Sequence, residues 1–240
     1  MPDLVKTHPQ YPQGFEHRKV WEYAHILNTL DSWNVLDGAT ICSVGSGHEE
    51  PAYYISNRAR WIFLTDIYGS GDFQGAVAPT SMLVNPDQHA RCPHNRRRMV
   101  VQHMSGTDLR FEDGTFDVVY SFSSIEHFGG YHDAVKALSE VSRVLRPGGI
   151  AAITTECIVN DAEHFECPGL MLFHRSRLLE FCHSEPKLEL VDDLDFSIPE
   201  STLKLAVPLE ELMRKQSFPE LVVEYAGRQF TSISLFFRKL

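Results

Sequence analysis

The sequence predicts one large α/β domain built on a doubly wound, mostly parallel sheet of seven strands. Three observations carry this. Short apolar runs alternate with segments of helical periodicity, the pattern of strands joined by crossover helices. The first apolar run ends in Gly45-Ser46-Gly47 and gives way to a helix start, the opening of a nucleotide-binding α/β unit. The chain's 240 residues suffice for a single domain with a substantial core.

Residues 1–14 hold three prolines and few apolar positions, and read as an extended arm. From Phe15 to about Leu30 the apolar residues Val20, Tyr23, Ala24, Leu27 and Leu30 fall at helical spacing, which predicts a helix packed on the sheet. Thr40 to Val44 is the first strand. Glu49, Glu50 and Pro51 suit a first helical turn, where acidic groups meet the positive helix end and proline's missing N–H costs nothing. That helix should run from about Glu50 to Asn57. Trp61 to Thr65 is the second strand and ends at Asp66, placed to accept hydrogen bonds from both hydroxyls of a ribose, with Ile67 beside it.

Residues 67–98 interrupt the alternation, too long for a structureless loop and therefore functional or partly helical. His89, Cys92 and His94 lie within them, but their spacing matches no closed zinc pattern, and no metal is expected. Met99 to His103 is the third strand and Phe116 to Ser121 the fourth, with an Asp113-Gly114 turn between. His132 to Arg146 is a strongly amphipathic helix stopped by Pro147-Gly148-Gly149, and Ile150 to Thr155 is the fifth strand. Residues 156–174 read as a loop, Ser176 to His183 as a short helix, Leu188 to Val191 as the sixth strand. Residues 197–228 carry three prolines and a helical patch near Leu209 to Arg214, an insertion expected to cap the acceptor side of a site. Phe230 to Arg238 alternates as the last strand, and one of these two late strands can pair reversed.

Composition narrows the function. A net charge of −10 argues against a general nucleic-acid binder, which carries a basic face, and Arg96-Arg97-Arg98 reads as a solvated loop end. Five cysteines without a C-x-x-C pair, and no visible signal peptide after Met1-Pro2-Asp3, point to a reduced, cytoplasmic protein. No apolar run is long enough to span a bilayer.

Four landmarks then agree in order and spacing: Ser43-Val-Gly-Ser-Gly47, Thr65-Asp66, Thr107-Asp108-Leu109, and the set Phe116-Asp-Val-Val119, Ile125-Glu-His-Phe128 and Leu145-Arg-Pro-Gly-Gly149. Together they resemble the motifs of class I S-adenosylmethionine-dependent methyltransferases, in particular the small-molecule and glycan-modifying branch, over most of residues 38–156. The resemblance implies a Rossmann-like methyltransferase fold with an antiparallel last strand, and S-adenosyl-L-methionine as cofactor. It implies a cofactor site of Gly45, Ser46, Gly47, Asp66, Ile67, Asp108, Leu109 and Ser121. The chain departs from the family at Ser43, where an acidic residue is usual, and at Glu49, where a glycine is usual.

The resemblance divides the single domain into an arm and helix (1–37), a cofactor-binding core (38–156) and C-terminal strands with the insertion (157–240). The expected reaction is methyl transfer to a small-molecule or saccharide acceptor, at oxygen. A hydroxyl acceptor needs a base, and His127, in the loop beyond the fourth strand, suits neutral pH. Glu126, Phe128 and His174 are the candidate acceptor contacts, with Glu156 and His164 near them. Two other classes fit less of the chain: a non-catalytic protein that kept the fold, and a nucleotide-dependent oxidoreductase, against which the absent third glycine counts.

Overall fold

The computed structural model describes residues 17–71, 77–215 and 220–240, and these form a three-layer α/β/α arrangement. The expected arm at residues 1–14 lies outside the described residues. Helix α1 (Arg18–Ser32) leads, its first turn capped by the His17 ring, which accepts the Lys19 amide. Strand β1 (Thr40–Val44), α2 (Glu50–Ser56), β2 (Trp61–Asp66), α3 (Ser81–Val84), β3 (Met99–His103), β4 (Phe116–Phe122), α4 (Tyr131–Val144) and β5 (Leu145–Ile158) follow. Then come β6 (Phe165–Cys167), β7 (Leu170–Leu172), α5 (Arg175–Cys182), β8 (Leu188–Leu190), α6 (Glu200–Leu203), β9 (Val207–Pro208), α7 (Leu209–Lys215), β10 (Val223–Tyr225) and β11 (Arg228–Lys239).

The seven expected strands lie in the order β3-β2-β1-β4-β5-β11-β8. The pairs from β3 to β5 are parallel, whereas β11 runs antiparallel to both β5 and β8. The insertion adds β9 and β10 to the same sheet, beside the start of β11.

Both faces of the sheet are covered, which explains why its parallel strands read as continuous apolar runs. Ile41, Leu64, Val118 and Phe122 pack beneath Ile26, Leu27 and Leu30 of α1 and Tyr53 and Ile55 of α2. Val44, Val119, Ile153, Leu235 and Phe237 pack against Leu138 and Val141 of α4 and Leu178 and Phe181 of α5.

Two sequence expectations need correction. The Leu145-Arg-Pro-Gly-Gly149 stretch is not merely a helix stop: it already belongs to β5, entered through a register shift opposite Phe116 and Val118. Residues 156–174 are not a plain loop, since β5 continues to Ile158 and β6 and β7 form a hairpin turning at Pro168-Gly169. Within residues 67–98, α3 and short 3-10 turns at Pro86–His89 and Arg96–Arg98 make the described part of the segment partly helical, one of the two readings expected. There His94 bonds Asp87 at 2.9 Å and His89 bonds Ser81 at 2.8 Å.

Candidate active site at the carboxyl edge of the sheet

After β1 the chain builds outward to β2 and β3, then returns to β4 on the other side. The carboxyl ends of β1 and β4 therefore flank the point where strand order reverses, the crevice in which α/β sheets bind ligands.

Gly45 opens this crevice with φ +65°, a backbone region that glycine enters without strain. A side chain there would also meet Ser124 Cβ at 2.5 Å, and the Ser124 hydroxyl donates to the Gly45 carbonyl at 2.8 Å. Ser46 donates its amide to Thr65 O at 3.0 Å, which ties the turn to β2. Gly47 has φ +51° and open space where a Cβ would stand. Its amide donates to Asp66 Oδ2 at 2.8 Å. The carboxylate that ends β2 thus organises the glycine turn as well as facing the crevice. Burial raises the Asp66 pKa, and the Gly47 and Ile67 amides offset part of that rise.

The other expected residues divide. Ile67 is exposed next to Asp66. Asp108 is exposed and pairs with Arg110 at 3.3 Å. Leu109 is buried in the core under α4, its amide donated to Glu140 at 2.7 Å, so it anchors the loop from below. Ser121 is buried near the end of β4, and its hydroxyl has no hydrogen-bond partner among the described residues. A turn that a Cβ would fill, a carboxylate at the β2 end and an unused hydroxyl on β4 fit a nucleoside with an amino-acid tail.

Two expected acceptor contacts have partners within the protein. Phe128 lies against the glycine turn: a Cβ on Gly106 would stand 2.5 Å from its ring, and one on Gly45 3.4 Å. Glycine at both positions leaves room for the ring. His174 caps α5, its ring accepting the Ser176 amide, so its position is explained by the helix end. His164 bonds Glu166 at 2.9 Å.

His127 sits in a short 3-10 turn after β4, and its Nδ1–H donates to Gly169 O at 2.7 Å. A carbonyl only accepts, which fixes the tautomer and leaves the Nε2 lone pair 4.0 Å from Glu126 Oε1. The expectation of a base titrating near neutrality fails. Burial drives the His127 pKa down to about 4, and the Gly169 bond offsets this only in part. The ring is neutral at pH 7 and weakly basic, and it pins the β6–β7 hairpin to the β4 loop. Losing that bond costs about 1 kcal/mol, a few degrees of melting temperature. His127→Ala should show that loss, whereas His127→Asn, whose amide can still donate toward Gly169, should melt close to wild type. Equal melting of wild type and His127→Ala would remove the pin.

Periodicity did not reveal the most charged feature. The first turns of α1 push Arg18, Lys19 and Glu22 into the carboxyl edge. Lys19 Nζ reaches Glu22 Oε2 at 3.2 Å, Glu49 Oε1 at 3.4 Å and the Phe122 carbonyl at 3.2 Å. Glu22, fully buried, also accepts from Ser232 at 2.5 Å and Thr154 at 3.0 Å. Arg18 pairs with Glu156 at the end of β5 and with Glu220, which also holds His17 at 2.9 Å. Glu49 is therefore the acceptor that latches α1 to the glycine turn. Burial lifts its pKa to about 7 against the pull of Lys19. The signal was present: Glu22 stands four residues before Ile26 and eight before Leu30, in phase with the buried face.

Beyond Arg18 lies a cavity of about 530 Å³, between α1, β11 and residues 192–202. Arg18 and Ser232 stand in its wall together with Trp21, Phe196, Phe236 and Ser234. It occupies a gap in the sheet, because β10 pairs only with residues 228–230 of β11 and β8 only with 237–239.

Residues 44–153 match the methyltransferase domain family. Among solved structures, the [4+2]-cyclase SpnF is 18% identical, with a TM-score of 0.61 over 90% of this chain and 80% of its own. A 1,6-didemethyltoxoflavin-N1-methyltransferase from Burkholderia thailandensis, with bound 1,6-didemethyltoxoflavin and S-adenosylhomocysteine, is 15% identical. Its TM-score is 0.56 over 92% of this chain and 81% of its own. An S-adenosylmethionine-dependent methyltransferase from Mesorhizobium loti is 13% identical, with a TM-score of 0.58 over 91% and 97%. At these identities the structures share the fold, and the cyclase among them illustrates that one fold hosts more than one reaction.

Proposed function

We propose that this chain, whose residues 44–153 match the methyltransferase domain family, transfers a methyl group from S-adenosylmethionine to a small-molecule acceptor. The cofactor supplies a methyl group already activated on sulfur. The protein's task is then to hold the acceptor in line with that group and keep water out, which accounts for a large share of such a barrier. In this reading Gly45, Ser46, Gly47 and Asp66 hold the cofactor, and Ser121 and Phe128 close its inner side. Lys19 and Glu49 fix α1 over the methionine end.

The observation that carries the acceptor reading is the cavity joined through Arg18 to the carboxyl edge. About 530 Å³ is the size of a small-molecule site, and its aromatic walls with a few charged groups suit a compact polar molecule, a saccharide included. Ile198, Thr202 and Leu221 line it, so the 197–228 insertion acts as the cap over the acceptor. The relative from Burkholderia thailandensis acts on a compact heteroaromatic molecule, which is consistent with this scale. The expected preference for oxygen rested on His127 as a base and loses that support with a pKa of about 4.

A screen of small acceptors with methyl-labelled S-adenosylmethionine tests the reading. Ser234→Phe fills the cavity from β11 and should raise the acceptor KM at least about tenfold, the scale of one misfitted group. Affinity for S-adenosylhomocysteine should not change. Unchanged acceptor kinetics in Ser234→Phe would place the acceptor elsewhere.

A further inference from the structure

The cavity beside β11 meets that strand along its edge. Thr231, Ser232, Ile233 and Ser234 line it in succession. A strand alternates its side chains between two faces, so consecutive residues share one space only at an edge. The edge lies open because β10 stops pairing at Phe230 and β8 begins at Phe237.

Which backbone groups face this opening follows from the pairing on the other side. β11 runs antiparallel to β5, with Ser232 opposite Glu156 and Ser234 opposite Thr154. The Glu156 carbonyl accepts the Phe173 amide and the Thr154 carbonyl accepts the Ser123 amide, so both point away from β11. In an antiparallel pair such residues face each other without exchanging hydrogen bonds, and each turns its N–H and C=O outward. Phe236 continues the alternation, its carbonyl accepting the Val191 amide rather than one from β5. Ser232 and Ser234 therefore direct two amides and two carbonyls into the gap. None of the four has a hydrogen-bond partner among the described residues. Backbone groups inside a protein are rarely left so.

The pattern of these groups sets the class of molecule. Two donor–acceptor pairs in line, two residues or about 7 Å apart, match the repeat of an extended amide chain. The walls suit its side chains. Arg18, Trp21, His25 and Thr29 form one stripe of α1, and Trp21 is 43% exposed. The cations in the wall are engaged: Arg18 by Glu156 and Glu220, Arg175 by the ring and carbonyl of Phe196. Asp192 and Asp193 also line the cavity, and neither has an ion pair among the described residues.

We propose that the cavity takes a peptide-like acceptor, an extended segment of consecutive amides with a basic side chain. It pairs as an added strand with Ser232 and Ser234, between β8 and β10. This names the acceptor class for the methyl-transfer reading and rests on it. Main-chain hydrogen bonds supply the affinity of strand addition, and the pockets around it supply selectivity. Here Asp192 and Asp193 select the basic side chain, and Trp21 covers an apolar one.

The probe is acetyl-Val-Lys-Val-amide, with the same peptide N-methylated at each residue as its match. N-methylation keeps the charge and side chains but removes amide donors. On the protein saturated with S-adenosylhomocysteine, calorimetry should show the plain peptide binding at least about tenfold more tightly, the scale of lost hydrogen bonds. In the complex, hydrogen exchange at the Ser232 and Ser234 amides should slow by at least about tenfold. The Ile233 and Leu235 amides, which face β5, should change less. Ser234→Phe fills the gap and should abolish binding. Asp192→Asn combined with Asp193→Asn should weaken the lysine peptide but not its norleucine analogue. Equal affinity for the plain and N-methylated peptides overturns the proposal, as does no binding of the plain peptide at millimolar concentration. Unaltered exchange at Ser232 and Ser234 in the saturated complex overturns it too. Peptide docking with that protection, in a protein that transfers no labelled methyl group, removes the transfer reading and leaves the strand site standing. Methyl transfer to other small acceptors without peptide docking does the reverse.

Discussion

Lys19→Met should destabilise the protein by about 3 kcal/mol, lowering its melting temperature by roughly 6–12 °C. The size follows from what Lys19 leaves behind. Its ammonium is shared by Glu22, Glu49 and the Phe122 carbonyl, and Glu22 is fully buried. Breaking a buried pair by removing one partner strands the other charge, which costs more than the pair contributes. Arg18, Ser232 and Thr154 still attend Glu22, which places the cost at the lower end of that range. Glu22→Gln in the same chain removes the stranded charge and should return much of the loss, so the double variant is more stable than additivity allows. The pH dependence has a definite sign. Burial raises the Glu22 pKa, but Lys19 and Arg18 outweigh it and hold the carboxyl below 4.5. Its contribution is therefore present above pH 4.5 and lost as pH falls through the folded value. The gap between wild type and Lys19→Met should narrow in that acid window. A Lys19→Met variant that melts with wild type at pH 7 would show that the network carries no net stabilisation.

The glycine turn and the aspartate that ends β2 were legible in the sequence because they are local signals. A glycine turn between an apolar strand and a helix start, and an aspartate ending the next strand, are set by backbone geometry within about 20 residues. The structure ties these two together through the Gly47 amide. The seven strands were legible for the same reason, since buried strands write themselves as apolar runs. The charged network at the start of α1 was not. Its groups come from α1, the turn after β1, β5 and β11, which are distant in the chain, and Arg18, Lys19 and Glu22 lie in a stretch read only for its apolar periodicity. Glu22 bonds Ser232 across 210 positions, and no window of sequence contains both. His174 caps a helix and the Phe128 ring packs beside two glycines, contacts that no window of sequence reveals. His127 was placed in the right loop with the wrong acidity, because burial, which sets its pKa, is not visible in composition.

Asp66→Ala should weaken S-adenosylhomocysteine binding by roughly 10- to 100-fold, since a hydrogen bond to a charged group contributes about 1.5–3 kcal/mol. Two losses combine in this variant. The carboxylate at the end of β2, proposed to meet the ribose, disappears, and the Gly47 amide loses the acceptor that fixes the glycine turn. Asp66→Asn separates them, because its side-chain carbonyl can still take the Gly47 amide while the charge is gone. Its affinity should fall between wild type and Asp66→Ala. The pH dependence offers an independent reading. Burial lifts the Asp66 pKa above its ordinary 3.8, with the Gly47 and Ile67 amides opposing the rise. A ligand that donates to the carboxylate binds the charged form, so wild-type affinity should drop as pH falls through that raised value. The drop should be absent in Asp66→Asn, which has no proton to take up. Calorimetric affinities equal to wild type in both variants, with no pH dependence to lose, would remove Asp66 from the cofactor site and leave it as a tether for the turn.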